Sequence, residues 1–389
     1  MKYRFLVLSI LMSQFLFAQE ADYIIRNGKL IDGTGNQWQI KDVAIKNNKI
    51  AAIGILTNWK GKKEIDAKGL IVSPGFIDVH AHIEGGEVKN PLATNFIYDG
   101  VTSVITGNCG GSTNDMKNYF DFIDSLGVSI NIAALMGHNN IRKQVMGSAN
   151  RHATALELQQ MEAITDKAMK AGAVGMSTGL IYIPGTFAPT DEVVALAKVV
   201  ANNGGVYSSH IRNEEDKVAE AIKEAIEIGR QAKLPIHISH IKCLGVDVWN
   251  ESEAIIELIK KSRSEGIEIT ANQYPYDASA TGLKASVVPR WAESGGNDSL
   301  FVRYKNPSLK IKILKETKEN IARRGGAEKL LIVKSESNDY DGKNIAIVGH
   351  KAPQLSLDVL IKGKTWKQAL AEDWRKTKAW KPGWEYILE

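Results

Sequence analysis

At 389 residues, 44% hydrophobic and 24% charged, the chain is long enough for one large barrel-type core with a small satellite, and its composition excludes disorder and fibrous repeats. A formal net charge of +5, spread along the chain, is too mild to imply nucleic acid. The two cysteines, Cys109 and Cys243, exclude a disulfide framework; a single bridge between them is compatible with the count.

Residues 1–19 place Lys2 and Arg4 ahead of the apolar run Phe5 to Phe17, with Ala18 near a cleavage point. This is the layout of a signal peptide, and export to the periplasm or the medium is expected. The run is shorter than the roughly 20 residues that span a bilayer, so no stable membrane anchor is expected after cleavage.

Residues 20–68 read as the N-terminal strands of a small β-sandwich part. Tyr23 to Leu30 and Val43 to Ile55 alternate apolar and polar residues around turns at Gly33 and Asn47-Asn48, the pattern of short antiparallel strands. From Gly69 the rhythm becomes apolar strand, polar turn and amphipathic helix. The strands expected are Leu70 to Val79, Val101 to Thr106, Ile130 to Met136, Val174 to Ile181, Val206 to Ile211, Ile236 to Ile241 and Glu268 to Tyr274.

Strands alternating with helices predict a parallel sheet. Among the helices, Thr154 to Glu157 reads as a capping box with a stop near Gly172, and Thr190 to Asn203 is closed by Gly204. About seven such strands in one run favour a TIM-like (β/α)8 barrel over residues 69–349, one strand short, over a doubly wound sheet. No G-x-G-x-x-G opens a helix after the first strand, which argues against a dinucleotide site. Residues 350–389 form a divergent tail rich in Trp and Lys.

His80, His82, His210 and His240 each fall at or just after the C-terminal end of an expected strand, which in a barrel is the catalytic face. Side chains two apart on a strand point the same way, so His80 and His82 can reach one ion. An isolated H-x-H is equally compatible with two satisfied histidines, but four strand-end histidines in register make a metal cluster the better reading. Cys109 sits in Gly107-Asn108-Cys109-Gly110-Gly111, where glycines permit a tight turn. It reads either as a buried structural cysteine or as a thiolate, and a thiolate beside imidazoles selects zinc. Arg212 lies two residues after His210 and Lys242 two after His240; such cations suit either an anionic substrate or ordinary salt bridging. His138 closes the third strand and is a further residue for the site, whereas His152 and His350 read as surface histidines.

These motifs together resemble the D-aminoacylase (N-acyl-D-amino-acid deacylase) branch of the metal-dependent amidohydrolase superfamily. The likeness runs from about Asp22 to about Gly349. It is carried by Pro74-Gly75-Phe76-Ile77-Asp78-Val79-His80-Ala81-His82, by Gly100 to Val104 with Gly107 to Gly110, and by Ser177 to Gly185. Ser209 to Glu214, Ser239 to Lys242 and Tyr274-Pro275-Tyr276 complete it.

The resemblance implies one tight Zn2+ held by Cys109, His210 and His240, with His80 and His82 marking a second, weaker position. It implies that Lys242, Tyr274 and Tyr276 hold a small anionic substrate, and that an N-acyl-D-amino acid is hydrolysed to a carboxylate and a D-amino acid. Zinc would polarise the amide carbonyl and lower the pKa of water towards about 7. Members of the superfamily also use an aspartate at the end of the eighth strand as proton shuttle, and no residue here matches it. Leu330 to Val333 is apolar enough for a strand but leads into Lys334-Ser335-Glu336, while Asp339, Asp341 and Asp358 sit in poor contexts.

The chain is therefore expected to be a truncated or frameshifted form of a longer enzyme, in preference to a complete protein that lost catalysis and remains a zinc-binding scaffold. A cyclic amidohydrolase is a further alternative. It is disfavoured because Val174 to Thr178 supplies no metal-bridging lysine.

Overall fold

The computed structural model describes residues 19–330 and Gln368, which fall into two compact units divided after Phe76. The signal-peptide segment up to Ala18, the Leu330 to Val333 strand from residue 331 on, His350, the aspartates weighed for the eighth strand and the tail apart from Gln368 lie outside the described residues.

The first unit is one sheet built from β1 (Gln19–Leu30), β2 (Gln39–Lys46), β3 (Lys49–Gly54), β4 (Trp59–Asp66) and β5 (Ile71–Val72). The order is β3-β2-β1-β4, with β5 also on β1. β2 and β3 pair antiparallel across Asn47-Asn48, both with positive φ, the conformation that a two-residue hairpin turn of matching twist demands. β4 pairs parallel with β1, and the sequence gives little warning of it. Its lysines mask any apolar alternation, and the strand is held by backbone pairing and by Arg26, which grips Glu64 while also donating to the Leu56 and Trp59 carbonyls. Ala21, Ile24, Ala44 and Leu56 form the small core.

Among the described residues the second unit carries a seven-stranded parallel sheet and ten α-helices. In chain order these are β6 (Phe76–Asp78), α1 (Thr94–Ile97), β7 (Val101–Thr106), α2 (Met116–Leu126), β8 (Asn131–Gly137), α3 (His138–Met146), α4 (Ala155–Lys170), β9 (Gly175–Gly179), α5 (Thr190–Asn202), β10 (Val206–His210), α6 (Val218–Ala232), β11 (Ile236–Ile238), α7 (Ser252–Ser264), β12 (Ile269–Ala271), α8 (Leu283–Val287), α9 (Asn297–Lys305) and α10 (Pro307–Arg323). The sheet order β12-β11-β10-β9-β8-β7-β6 is strictly sequential. A doubly wound sheet reverses its order at a switch point; this one never does, so it curls in the TIM-like sense expected from the sequence. Among the described residues the sheet ends at β12. The single run read as Leu70 to Val79 is two strands, β5 and β6, because Pro74 has no N–H to give a ladder.

The core is dense and aliphatic. Met136, Met176, Tyr207 and Ile238 from the strands are fully buried with Met161, Leu196 and Ile222 from the helices. Below the strand ends lies a layer of buried hydroxyls. Thr178 bonds Tyr207 and Ser209, and Ser208 bonds Ser239, so these polar groups are satisfied without water. α4 opens with the capping box, the Thr154 side chain accepting from the Glu157 amide and Glu157 from the Thr154 amide. Thr154→Ala should lower stability by about 1 kcal/mol in urea unfolding, with no change in the slope of the transition.

Candidate metal centre

Four chain segments converge at the C-terminal ends of β6, β7, β10 and β11. After β6, the Ala81 amide bonds the Ile105 carbonyl of β7, and this anchor sets His80 and His82 on either side of a buried residue. After β7 the chain makes a turn in which Gly107, Cys109 and Gly110 all have positive φ. Only glycine takes that region freely, so Cys109 is held there by its surroundings. Ser177 of β9 donates to the Gly107 carbonyl at 2.5 Å and accepts from the Gly110 amide. Asn108 donates to the carbonyls of Ala81 and Ile105. A Cβ on Gly107 would meet the Leu135 carbonyl oxygen at 2.1 Å, so the close approach to β8 requires glycine.

The consequence is a sulfur surrounded by imidazoles. Cys109 Sγ lies 3.5 Å from His80 Nε2, 3.5 Å from His210 Nδ1 and 3.5 Å from His240 Nε2. A tetrahedral zinc with legs of roughly 2.3 Å to sulfur and 2.0 Å to nitrogen sets those atoms about 3.5 Å apart, so the donors present fit such an ion. His80, Cys109 and His240 form one group able to hold a metal, and His210, Glu214 and His240 a second. His82 is outside both groups, its ring 5.2 Å from that of His80, but it lines the same chamber. The thiols of Cys109 and Cys243 are both free.

Burial governs the electrostatics. It lowers His80 and His210 to about 3, assisted at His80 by the neighbouring imidazoles and opposed at His210 by Glu214. It raises the Cys109 thiol to about 12, with the Glu214 charge adding to the effect. His80 and His210 are therefore neutral nitrogen donors beside a protonated thiol, and capture of a divalent cation would release the thiol proton.

Glu214 is the functional residue that the sequence reading left without a role. Burial pulls its carboxyl upward, but the His240 hydrogen bond and the nearby His210 and Lys242 outweigh this and hold it down at about 2. Its Oε1 lies 3.1 Å from His240 Nδ1 and 2.6 Å from Lys242 Nζ. The signal was present in Ser209-His210-Ile211-Arg212-Asn213-Glu214: an acid four residues beyond a strand-end histidine can orient a metal-binding imidazole.

Lys242 is thus tethered to Glu214, with Nζ 5.6 Å above the Tyr274 ring. Tyr274 and Tyr276 stack at 6.3 Å. These three residues line a chamber of about 310 Å³ together with the histidines and Cys109, and Glu214 is its only carboxylate among the described residues. Arg212 is placed in the salt-bridging arrangement: Nε and Nη2 grip Glu224, while Nη1 and Nη2 donate to the Thr186 and Ala188 carbonyls. It does not line the chamber. His138 also lies away from it, buried against Glu192 at 3.0 Å. His152 is exposed.

The curled, sequentially ordered parallel sheet and the cysteine–histidine cluster at its strand ends define a TIM-like α/β scaffold carrying residues able to hold a metal. The model of the Amidohydrolase family matches residues 63–287, more than half of the chain, and the chain belongs to that family. It is 37% identical over 287 residues to the N-acyl-D-glutamate deacylase of Alcaligenes xylosoxydans xylosoxydans, covering 68% of this chain and 59% of the relative. To the D-aminoacylase of the same organism it is 32% identical over 290 residues, covering 69% and 60%. Among solved structures, N-acyl-D-glutamate deacylase from Bordetella bronchiseptica, complexed with zinc and a phosphonate mimic of the tetrahedral intermediate, superposes with a TM-score of 0.64. The identity is 37% over 66% of this chain and 59% of that one. A D-aminoacylase described as defining a novel subset of amidohydrolases superposes at 0.63 with 33% identity, again over 66% and 59%. The chain spans about three-fifths of the length of the curated relatives it matches.

Two outcomes follow from this geometry. Between pH 6.5 and about 3 the unfolded chain protonates histidines that the fold keeps neutral. The unfolded state then binds more protons, so stability of the metal-free protein falls as pH drops through that window. Denaturation of chelator-treated protein at pH 7.5 and pH 5 checks this, and equal stability would contradict neutral burial. Glu214→Gln keeps the shape but removes the charge that orients His240, and should weaken divalent-cation affinity roughly 10- to 100-fold, as read by competition with a chromogenic chelator.

Proposed function

We propose that the chain is a zinc-dependent hydrolase of linear amides that converts an N-acyl-D-amino acid to a carboxylate and a D-amino acid. The observation that carries this reading is the Cys109 sulfur equidistant from His80, His210 and His240; likeness to N-acyl-D-amino-acid deacylases over two-thirds of the chain supports the substrate class. Cys109, His210 and His240 would hold the tight zinc, with His80 and His82 toward a second, weaker position. When bound, zinc would supply Lewis acidity toward the amide carbonyl and a lower pKa for water at the site.

The rest of the work falls to the chain's own side chains. Glu214 accepts a hydrogen bond from His240 Nδ1, which turns Nε2 toward the sulfur. Lys242 sits on the rim of the chamber as a cation for the substrate carboxylate. On arrival of that carboxylate, Lys242 Nζ would be shared between it and Glu214, a charge-assisted arrangement on both sides. Tyr274, whose hydroxyl is raised to about 12 by burial, stays protonated and able to donate. The Tyr274–Tyr276 stack and Tyr182, whose ring lies 4.8 Å from that of His210, line the chamber with aromatic surface.

Purified protein should carry zinc and release free amine from N-acetyl-D-methionine in preference to its L enantiomer. Cys109→Ala should abolish tight zinc binding, whereas His82→Ala should leave one zinc in place. Equal loss in the two variants would overturn this division of the donors. Retained zinc with no amine release would instead support a zinc-binding scaffold.

A further inference from the structure

We propose, building on the deacylase reading, that the acyl chain of the substrate enters a separate apolar chamber beside α2, so that the site is made for medium-length unbranched acyl groups rather than for acetyl. The chamber holds about 700 Å³ and is lined by α2, by β7 and β8, and by the segment following His82. It is more than twice the volume of the chamber bearing Lys242, which is about 310 Å³. The two meet at the metal centre, because His82 and Cys109 line both. A scissile amide held there has one exit toward Lys242 and another toward α2.

Charge decides which end of the substrate takes which exit. The large chamber is walled by Val88, Met116, Tyr119, Phe122 and Ala134, and its charged neighbours are acids, with no lysine or arginine in its lining among the described residues. Glu84 is fixed by the Thr106 hydroxyl at 2.6 Å and the Gly107 amide at 2.9 Å, and Glu87 accepts from the Tyr119 hydroxyl at 2.9 Å. The smaller chamber has two cations to one carboxylate, Lys242 paired with Glu214, and Arg324 paired with Glu215 outside the lining. An anionic amino-acid carboxylate is repelled from the first and drawn to the second. The uncharged end of the same molecule is its acyl chain, and an apolar cavity of this size gains free energy with each methylene it removes from water.

The test uses binding and needs no turnover. Calorimetric titration of the zinc-loaded protein with octanoate and with acetate, each a product of deacylation, should show octanoate binding at least about tenfold more tightly. Val88→Trp narrows the chamber from a position that is 58% exposed and should erase that margin. Ala134→Phe, filling it from β8, should do the same. Equal affinity for octanoate and acetate in the unaltered protein, or a margin that survives Val88→Trp, would overturn the proposal. Amine release from N-acetyl-D-methionine reports separately on the deacylase reading. A retained octanoate margin without any amine release would support the chamber and refute the catalysis.

Discussion

Desolvation of a cluster of soft donors is the constraint on which the rest of this structure depends. Three imidazole nitrogens are brought within 3.5 Å of one sulfur, where burial disfavours the protonated rings of His80 and His210 and the free thiolate of Cys109. Such a cluster persists only if the backbone holds it by other means. The turn from Gly107 to Gly110 does so with left-handed residues pinned to β9 through Ser177 and to the strand below through Asn108. The buried hydroxyl layer of Thr178, Tyr207, Ser208, Ser209 and Ser239 then supports the strand ends from beneath. Each level removes freedom from the one above it, so the donors are organised before any cation arrives.

Much of this was legible in the residues. All seven parallel strands follow apolar runs between turn residues, and the strand-end positions of His80, His210 and His240 follow from those runs alone. The Thr154 capping box and the Asn47-Asn48 turn carry their own local chemistry. What escaped was whatever depends on pairing at a distance. β4 is lysine-rich and has no apolar alternation that would single it out before β1 lies beside it. Glu214 sits in a loop like many other acids, and only the convergence of β10 and β11 places it between His240 and Lys242. For Arg212, spacing left two roles open. The pairing with Glu224 and two carbonyls depends on how the α5 entry and α6 pack, which no local pattern encodes.

The buried His138–Glu192–Arg142 group shows the other use of charge in this fold. All three side chains are nearly inaccessible, with Glu192 3.0 Å from His138 and 3.5 Å from Arg142. Arg142 also donates to the carbonyls of Arg151 and Phe187, tying α3 to the entry of α5. Breaking one member of such a group would leave an uncompensated buried charge. The neighbouring Asn139 exchanges hydrogen bonds with both the amide and carbonyl of Gly179, which places β9 against the Cys109 turn.

The turn that presents Cys109 is closed in by backbone on several sides, so nearly any added atom there collides with a neighbouring strand. On the α2 side, away from that turn, the wall is made by the side chains of Val88, Met116, Tyr119 and Phe122. Mutational drift can therefore remodel the width and depth of that side step by step while the donor turn stays frozen, and descendants of such a scaffold could diverge in what they accept long before they diverge in how they react.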